Sequence, residues 1–431
     1  MEFRRDELIK LLNEIKFIEE FLFFESEKIK KEKLQSQYKK IAPLIIKPAE
    51  DTSLTDKIEL FTACSVAFSC IESKYQSAKQ AAEKVLRLSQ KYPAPWVILA
   101  KIHLSERNPM VYNDIDQGIK SYENLSKSIS DDEDISPILF DPLNLFELLI
   151  MKSQALRYIP SPCPSQESPL SLSLSEAKKA TLLMPKDGRG YYQQALALTF
   201  QIINNPTHAS TVSIKKKAIS LYSIAEHCFG TMEMLLCPCT ILKKSSSEER
   251  ETDTKCDCHV LYPDMYYNRG VLHHFTLELS KAYYDFQRAY EIDRSFETAK
   301  NAAVGLLESM KHFKALMTVP LVSSHIPKAK TFKLKKKVKH EVSSIIALKH
   351  GANIGDRIRL RTLQTKPSNI PSLTACVDCS GKICVFVQWG GNITPAGKDI
   401  VISNPIFTPL EFHTEKISVK GILGVIGRDS E

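Results

Sequence analysis

The sequence feature that most constrains this chain is a set of small and aromatic residues at fixed intervals between Pro263 and Arg294. Gly270 and His273 stand three apart, and Ala282, Phe286 and Ala289 follow at intervals of four and three. Such intervals place residues on one face of a helix. Small residues on that face let a second helix approach closely. The pattern predicts a helix–turn–helix pair, with Gly270 at the close approach and Phe286 filling the gap beside it. A pair of this kind cannot bury its apolar face alone, so it implies neighbours of the same type stacked into a superhelix with a concave groove.

Those neighbours can be found. Trp96, Ala100 and His103 repeat the first-helix pattern, after a second helix marked by Ala78, Ala82 and Val85. Gly118, Tyr122 and Leu125 form the next second helix, displaced by an insertion around Asn108 to Asn113. Ala177, Ala180 and Pro185 close another unit, Tyr191 and Ala195 open the following one, and Ala218, Tyr222 and Ala225 supply its partner. The period of about 34 residues and the residue types are those of the tetratricopeptide repeat. Arg294 departs from it, where proline is usual. Leu8, Leu11, Ile15, Ile18 and Leu22 predict a long N-terminal helix that caps the array. Ser161 to Ser173, rich in proline and serine, reads as a loop.

The period changes after residue 342. Short β-rich runs (IIALKHGANIGDRIRLRTL, SLTACVDCSGKICVFVQW, DIVISN, KISVKGILGVI) alternate with Gly, Pro and Asn. Five or so strands in so short a span predict a small OB-like barrel. The expected organisation is N-terminal capping helices at 1–60, a tetratricopeptide-repeat solenoid at 61–320 with an insertion at 236–261, a lysine-rich linker at 321–342 and an OB-fold domain at 343–431.

The formal net charge of +8 is concentrated in the linker, where KAKTFKLKKKVKH places Lys328, Lys330, Lys333, Lys335, Lys336 and Lys337 with no acid among them. Two readings stand: a solvated linker, or a contact with nucleic-acid phosphates whose strength falls with salt. The charged start MEFRRDELIK does not read as a signal peptide, and no apolar run is long enough to span a membrane. The expected location is cytoplasmic, with the nucleus second. The eleven cysteines then read as thiols or metal ligands. Within the insertion, Cys237, Cys239, Cys256 and Cys258, with His259 as a substitute, could hold a structural zinc. The alternative there is a disordered insertion with incidental cysteines. Cys376, Cys379 and Cys384 read as small thiols of a β-core. No phosphate-binding glycine motif, HExxH or nucleophile elbow is present, so an enzyme is not expected, and His273 and His274 read as structural.

Taken together, KVLRLSQKYPAPW (Lys84–Trp96), DGRGYY (Asp187–Tyr192), YPDMYYNRGVLHH (Tyr262–His274), ACVDCSGKICVFVQW (Ala375–Trp389) and the lysine run resemble the tetratricopeptide repeat protein 5 (Strap) family. The resemblance runs over nearly the whole chain. It implies an adaptor that binds the N-terminal Met-Arg-Glu peptide of nascent tubulin at the ribosomal exit tunnel. Such an adaptor helps recruit an mRNA-decay adaptor and deadenylase complex that destroys tubulin mRNA. The alternative it carries is a nuclear scaffold for a histone acetyltransferase complex in stress responses. By the same resemblance, Arg157 takes the glutamate-binding position and Asp264 that of an acid facing the peptide arginine. Asn268 would hold the peptide backbone. A further acidic position aligns with Thr298, beside Glu297, and Arg87 matches a basic position that faces the ribosome. The family has no counterpart of the zinc site.

Overall fold

The computed structural model describes residues 7–12, 14–15, 27–41, 53–69, 74–128, 135, 138–141, 143–160, 167–204, 211–231, 262–318, 326–327, 340–342, 344–354, 356–364, 372–388, 396–415 and 417–426. These divide into two compact units, Met1–Met265 and Tyr266–Glu431. No described helix is long and apolar enough to cross a membrane.

The first unit is helical: α1 (Glu27–Ile41), α2 (Leu54–Ser69), α3 (Tyr75–Leu88), α4 (Ala94–Ser105), α5 (Val111–Ser128), α6 (Leu143–Tyr158), α7 (Pro169–Leu183), α8 (Gly188–Asn204) and α9 (Thr211–Thr231). From α2 onward each helix packs on the next, and α2, α4, α6 and α8 also touch one another in a row. That is the contact pattern of a two-layer solenoid of helix pairs, in which the first helix of each pair is covered on two sides. Burial follows it: α8 buries Tyr192 through Thr199 without a break, whereas α3 buries only Ala78, Ala82 and Val85. Small residues sit where helices meet, Gly118 as the sequence predicts and Gly190 in addition. A Cβ added at Gly118 would lie 2.9 Å from Leu148, and one at Gly190 would lie 2.7 Å from the Thr181 hydroxyl. Leu8, Leu11, Leu12 and Ile15 join Ala63 and Ala67 of α2 in one core, as the capping role requires; Ile18 and Leu22 lie outside the described residues.

One expectation needs correction. Ser168 to Ser173 is not loop: α7 starts at Pro169, and the Ser168 hydroxyl accepts the Ser171 N–H as its cap. Serine is a favoured cap and proline suits the first helical position, so the residues that suggested a loop start a helix instead.

The second unit carries α10 (Pro263–Phe275), α11 (Leu279–Ile292) and α12 (Glu297–Thr318), then β1 (His340–Val342), β2 (Gly351–Ala352), β3 (Asp356–Gln364), β4 (Ser372–Asp378), β5 (Ile383–Gln388), β6 (Asp399–Ser403), β7 (Ile406–His413) and β8 (Ser418–Ile426). The start of α10 lies in the first unit and the rest in the second. A Cβ at Gly270 would come within 2.8 Å of the Phe286 ring, so α10 and α11 meet as the spacing predicts.

The strands run β3-β4-β5-β8-β7, with β5 and β8 parallel and the other neighbours on this path antiparallel. The segment carrying β7 also carries β6, which pairs with β3 from Arg357↔Ser403 to Arg361↔Asp399 and so closes the sheet on itself. The bend between β6 and β7 falls at Asn404, whose φ of 52° is a left-handed conformation that asparagine adopts readily. A closed five-strand path with this order is the OB-type barrel. Its interior holds Ile358, Leu360, Cys376, Cys384, Phe386, Ile400, Ile402 and Val425. Cys376 and Cys384 face each other across β4 and β5 as free thiols whose pKa values burial pushes up. The outer face of β4, β5, β7 and β8 is covered as well: Leu373, Val385, Leu410 and Phe412 share one core with Tyr283 and Phe286 of α11 and Leu306, Met310 and Phe313 of α12. The His413 N–H donates to the Ser280 hydroxyl at 2.8 Å.

Candidate functional site

Arg157 ends α6, in the row of first helices. Nη1 reaches the Ser153 carbonyl at 3.0 Å and the hydroxyls of Ser153 and Ser173 at 2.9 Å each, and Nη2 donates to Gln193 Oε1. Every acceptor is a neutral oxygen. Nε is buried without a hydrogen-bond partner, and no carboxylate of the described residues pairs with the side chain. Burial lowers its pKa from the ordinary value, while the phenols of Tyr158 and Tyr192 act in the opposite direction. A desolvated charge without a counter-charge is costly, and neutral hydrogen bonds offset only part of that cost.

Local sequence explains the placement. Ser153 lies one turn before Arg157 on α6, and Ser173 faces it from the first turns of α7, with 2.9 Å between the two hydroxyls. Both serines are fully buried, which lets the helices close around the guanidinium. Gln193 comes from α8. Arg157 also lines a cavity of about 850 Å³ bounded by the ends of α6 and α8 and the starts of α7 and α9. The other lining residues, among them Tyr112, Tyr158, Phe200, Asn204 and Ile214, carry no charge.

Asp264 stands in the first turn of α10, partly buried and already engaged by neighbours. The residues before it are tied to the Arg157 helices: Tyr262 meets Tyr192 edge-on at 5.5 Å and stacks on Phe229 at 5.3 Å, and Tyr192 adjoins Gln193. Asp264 is not among the residues lining the cavity. Asn268 follows one turn later on α10, half-buried and also engaged. Glu297 starts α12, exposed, in an ion pair with Lys300 at 3.1 Å, and Thr298 beside it is exposed. Arg87 is exposed in the last turn of α3.

Lys328, Lys330, Lys333, Lys335, Lys336 and Lys337 lie outside the described residues, as do Cys237, Cys239, Cys256 and Cys258. Among the described residues no group of His, Cys, Asp and Glu could hold a metal ion. His273 and His274 are buried on α10. The first hydrogen-bonds Glu278 through Nδ1 at 2.7 Å, and the second packs edge-on against Phe286, in keeping with the structural role expected of them. Sequence reasoning missed Ser153, Ser173 and Gln193. Their only signal is that small or amide side chains occupy helix-facing positions near a basic residue, and this becomes legible only once α6, α7 and α8 are paired.

No protein-family model matches the sequence, and no curated protein matches it. Among solved structures, a chain of the Cut9–Hcn1 hetero-tetramer of the APC/C aligns over 67% of this chain and 42% of its own, at TM-score 0.38 and 11% identity. This chain thus spans less than half of that one. TTC0263, a thermophilic TPR protein of Thermus thermophilus, aligns over 59% and 99% at TM-score 0.35 and 13% identity. YrrB, a TPR protein with an unusual peptide-binding site, aligns over 58% and 97% at TM-score 0.29 and 13% identity. Scores this low carry no argument, so the class rests on this chain's own geometry: a solenoid of helix pairs followed by an OB-type barrel.

Proposed function

We propose that this chain is an adaptor that reads a short acidic peptide, with Arg157 pairing the peptide carboxylate, and that the peptide is the Met-Arg-Glu start of nascent tubulin. One observation carries the reading: a largely buried guanidinium with an unpartnered Nε, held only by neutral oxygens. A carboxylate supplied by a ligand would complete it, and charge-assisted bonds of this kind are about twice as strong as neutral ones. The tubulin identity rests on the resemblance of the sequence to the Strap family, as do Asp264 opposite the peptide arginine, Asn268 on the peptide backbone and Glu297 as a further acid. In this reading the lysine run and Arg87 meet ribosomal RNA, and a decay adaptor with its deadenylase complex acts downstream.

Calorimetry with a Met-Arg-Glu peptide and its Met-Arg-Ala counterpart tests the reading. Binding that vanishes with the alanine peptide and in Arg157→Ala supports it. Equal binding of both peptides overturns it. For the ribosomal arm, replacing Lys333, Lys335, Lys336 and Lys337 by glutamate should weaken ribosome association and flatten its salt dependence while peptide affinity holds. Unchanged association leaves the run as a linker.

A further inference from the structure

Lys152, Lys179, Lys281 and Lys300 each meet a carboxylate directly, at 2.8 to 3.1 Å. Lys79 of α3 meets a ring nitrogen instead. Its Nζ lies 3.0 Å from His103 Nε2 on α4, and His103 Nδ1 lies 2.5 Å from Asp114 Oδ2 in the first turn of α5. An ammonium only donates, so Nε2 accepts from it, and the ring N–H stands on Nδ1 and donates to Asp114. The ring and the carboxylate are buried, at 5% and 3% exposure, while Lys79 is only half-buried.

Amine, imidazole and carboxylate in this order form the arrangement that activates a nucleophile: a base within hydrogen-bond reach, itself oriented by a third group. A carboxylate beside a lysine is too weak a base to take its proton near neutrality, whereas an imidazole is matched to that task. A proton passing from Nζ to Nε2 carries positive charge to the ring held against Asp114. Burial raises the Asp114 pKa, and the hydrogen bond and charge of His103 oppose it, so the carboxylate gains from charge arriving there. We propose that Lys79 is a modification site that accepts an acyl group from a thioester, with His103 as general base and Asp114 as the residue that positions the ring. A thioester suits a site that offers a base, because a thiolate leaves without an acid to protonate it. His103 Nε2 takes one proton from the ammonium and passes it to solvent. Nζ then attacks the carbonyl carbon, the N–C bond forms and the C–S bond breaks. The second proton ends on the departing sulfur, and the product is a neutral amide. This site is independent of the peptide reading.

The test incubates the full chain with N,S-diacetylcysteamine, a simple acetyl thioester, and follows acetylation of each lysine by mass spectrometry. Lys127 and Lys178, both exposed, serve as internal references. Lys79 should react about a hundredfold faster than either, the lower end of what a positioned general base supplies, and the advantage should vanish in urea. His103→Gln keeps a polar side chain facing Lys79 and Asp114 but removes the base, and should bring Lys79 down to the reference rate, with a melting curve confirming the fold. Asp114→Asn should lower the Lys79 rate, and Asp114→Glu should keep it. Equal rates at Lys79, Lys127 and Lys178 in the wild type overturn the inference whatever the variants do. An undiminished Lys79 rate in folded His103→Gln overturns it as well.

Discussion

Arg157 and Arg269 are both largely buried arginines on first helices of their repeats, yet their surroundings differ in one respect. Arg269 meets a carboxylate of its own repeat: Nε donates to Asp285 Oδ2 at 2.9 Å and Nη2 to Oδ1 at 2.7 Å, with His273 Nε2 another 3.7 Å from the same group. Arg189 is likewise paired with Asp187. Arg157 has only neutral partners, the oxygens of Ser153, Ser173 and Gln193 and the Tyr158 phenol. The first arrangement is closed, with charge balanced and bonds bidentate, and its effect is to lock α10 against α11. The second is open, since its balance must come from outside. The difference separates an arginine that holds the fold together from one available to a ligand.

The largest effect should come from exchanging these roles. Arg157→Ala is expected to abolish measurable peptide binding with little loss of stability. Arg269→Ala should instead cost about 3 kcal/mol or more of stability, because Asp285 is left buried with only His273 Nε2, 3.7 Å away, beside it. Denaturant melts and calorimetry on both variants decide the matter. If Arg157→Ala destabilises as Arg269→Ala does while binding persists, the contrast fails.

Gln193→Glu sharpens the comparison by giving Arg157 an internal partner like Asp285. Peptide affinity should fall at least tenfold while the melting temperature holds or rises. Tight binding by this variant would show that Arg157 is not the anchor.

The closed repeat should also answer to pH. Burial lowers the His274 pKa from 6.5 to about 4, and its Nε2 has no hydrogen-bond partner among the described residues. The folded protein therefore resists the proton that the unfolded chain accepts. Stability is intact above about 6.5 and is lost as pH falls toward 4, by on the order of 3 kcal/mol for this group. His274→Gln should flatten that slope in melts taken between pH 7 and pH 4. A slope identical to wild type would place the acid sensitivity elsewhere.

The smallest of these effects concerns packing in the same repeat. Gly270→Ala should cost about 1–3 kcal/mol, because the added methyl meets the Phe286 ring, which is itself buried against the barrel. A neutral result in urea titration would mean that the α10–α11 approach is looser than the geometry implies.

Much of the fold was legible because it rests on local periodicity. Gly270, Phe286 and Ala289 mark a helix contact by their spacing alone, and the alternating runs after residue 342 mark strands. The sequence by itself determined which segments are helices, where the small residues stand, and that the chain turns from a repeat array to a β-domain. Side-chain size and period act within a few residues, so they are written locally. Tertiary structure decided what is remote in sequence. Strands β6 and β3 close the barrel across about forty residues. Residues of α11 and α12 cover its outer face. Ser153, Ser173 and Gln193 gather around Arg157 from three helices without supplying a charge. Whether an arginine is balanced or open depends on what the neighbouring helices bring to it, and only the packing of those helices sets that.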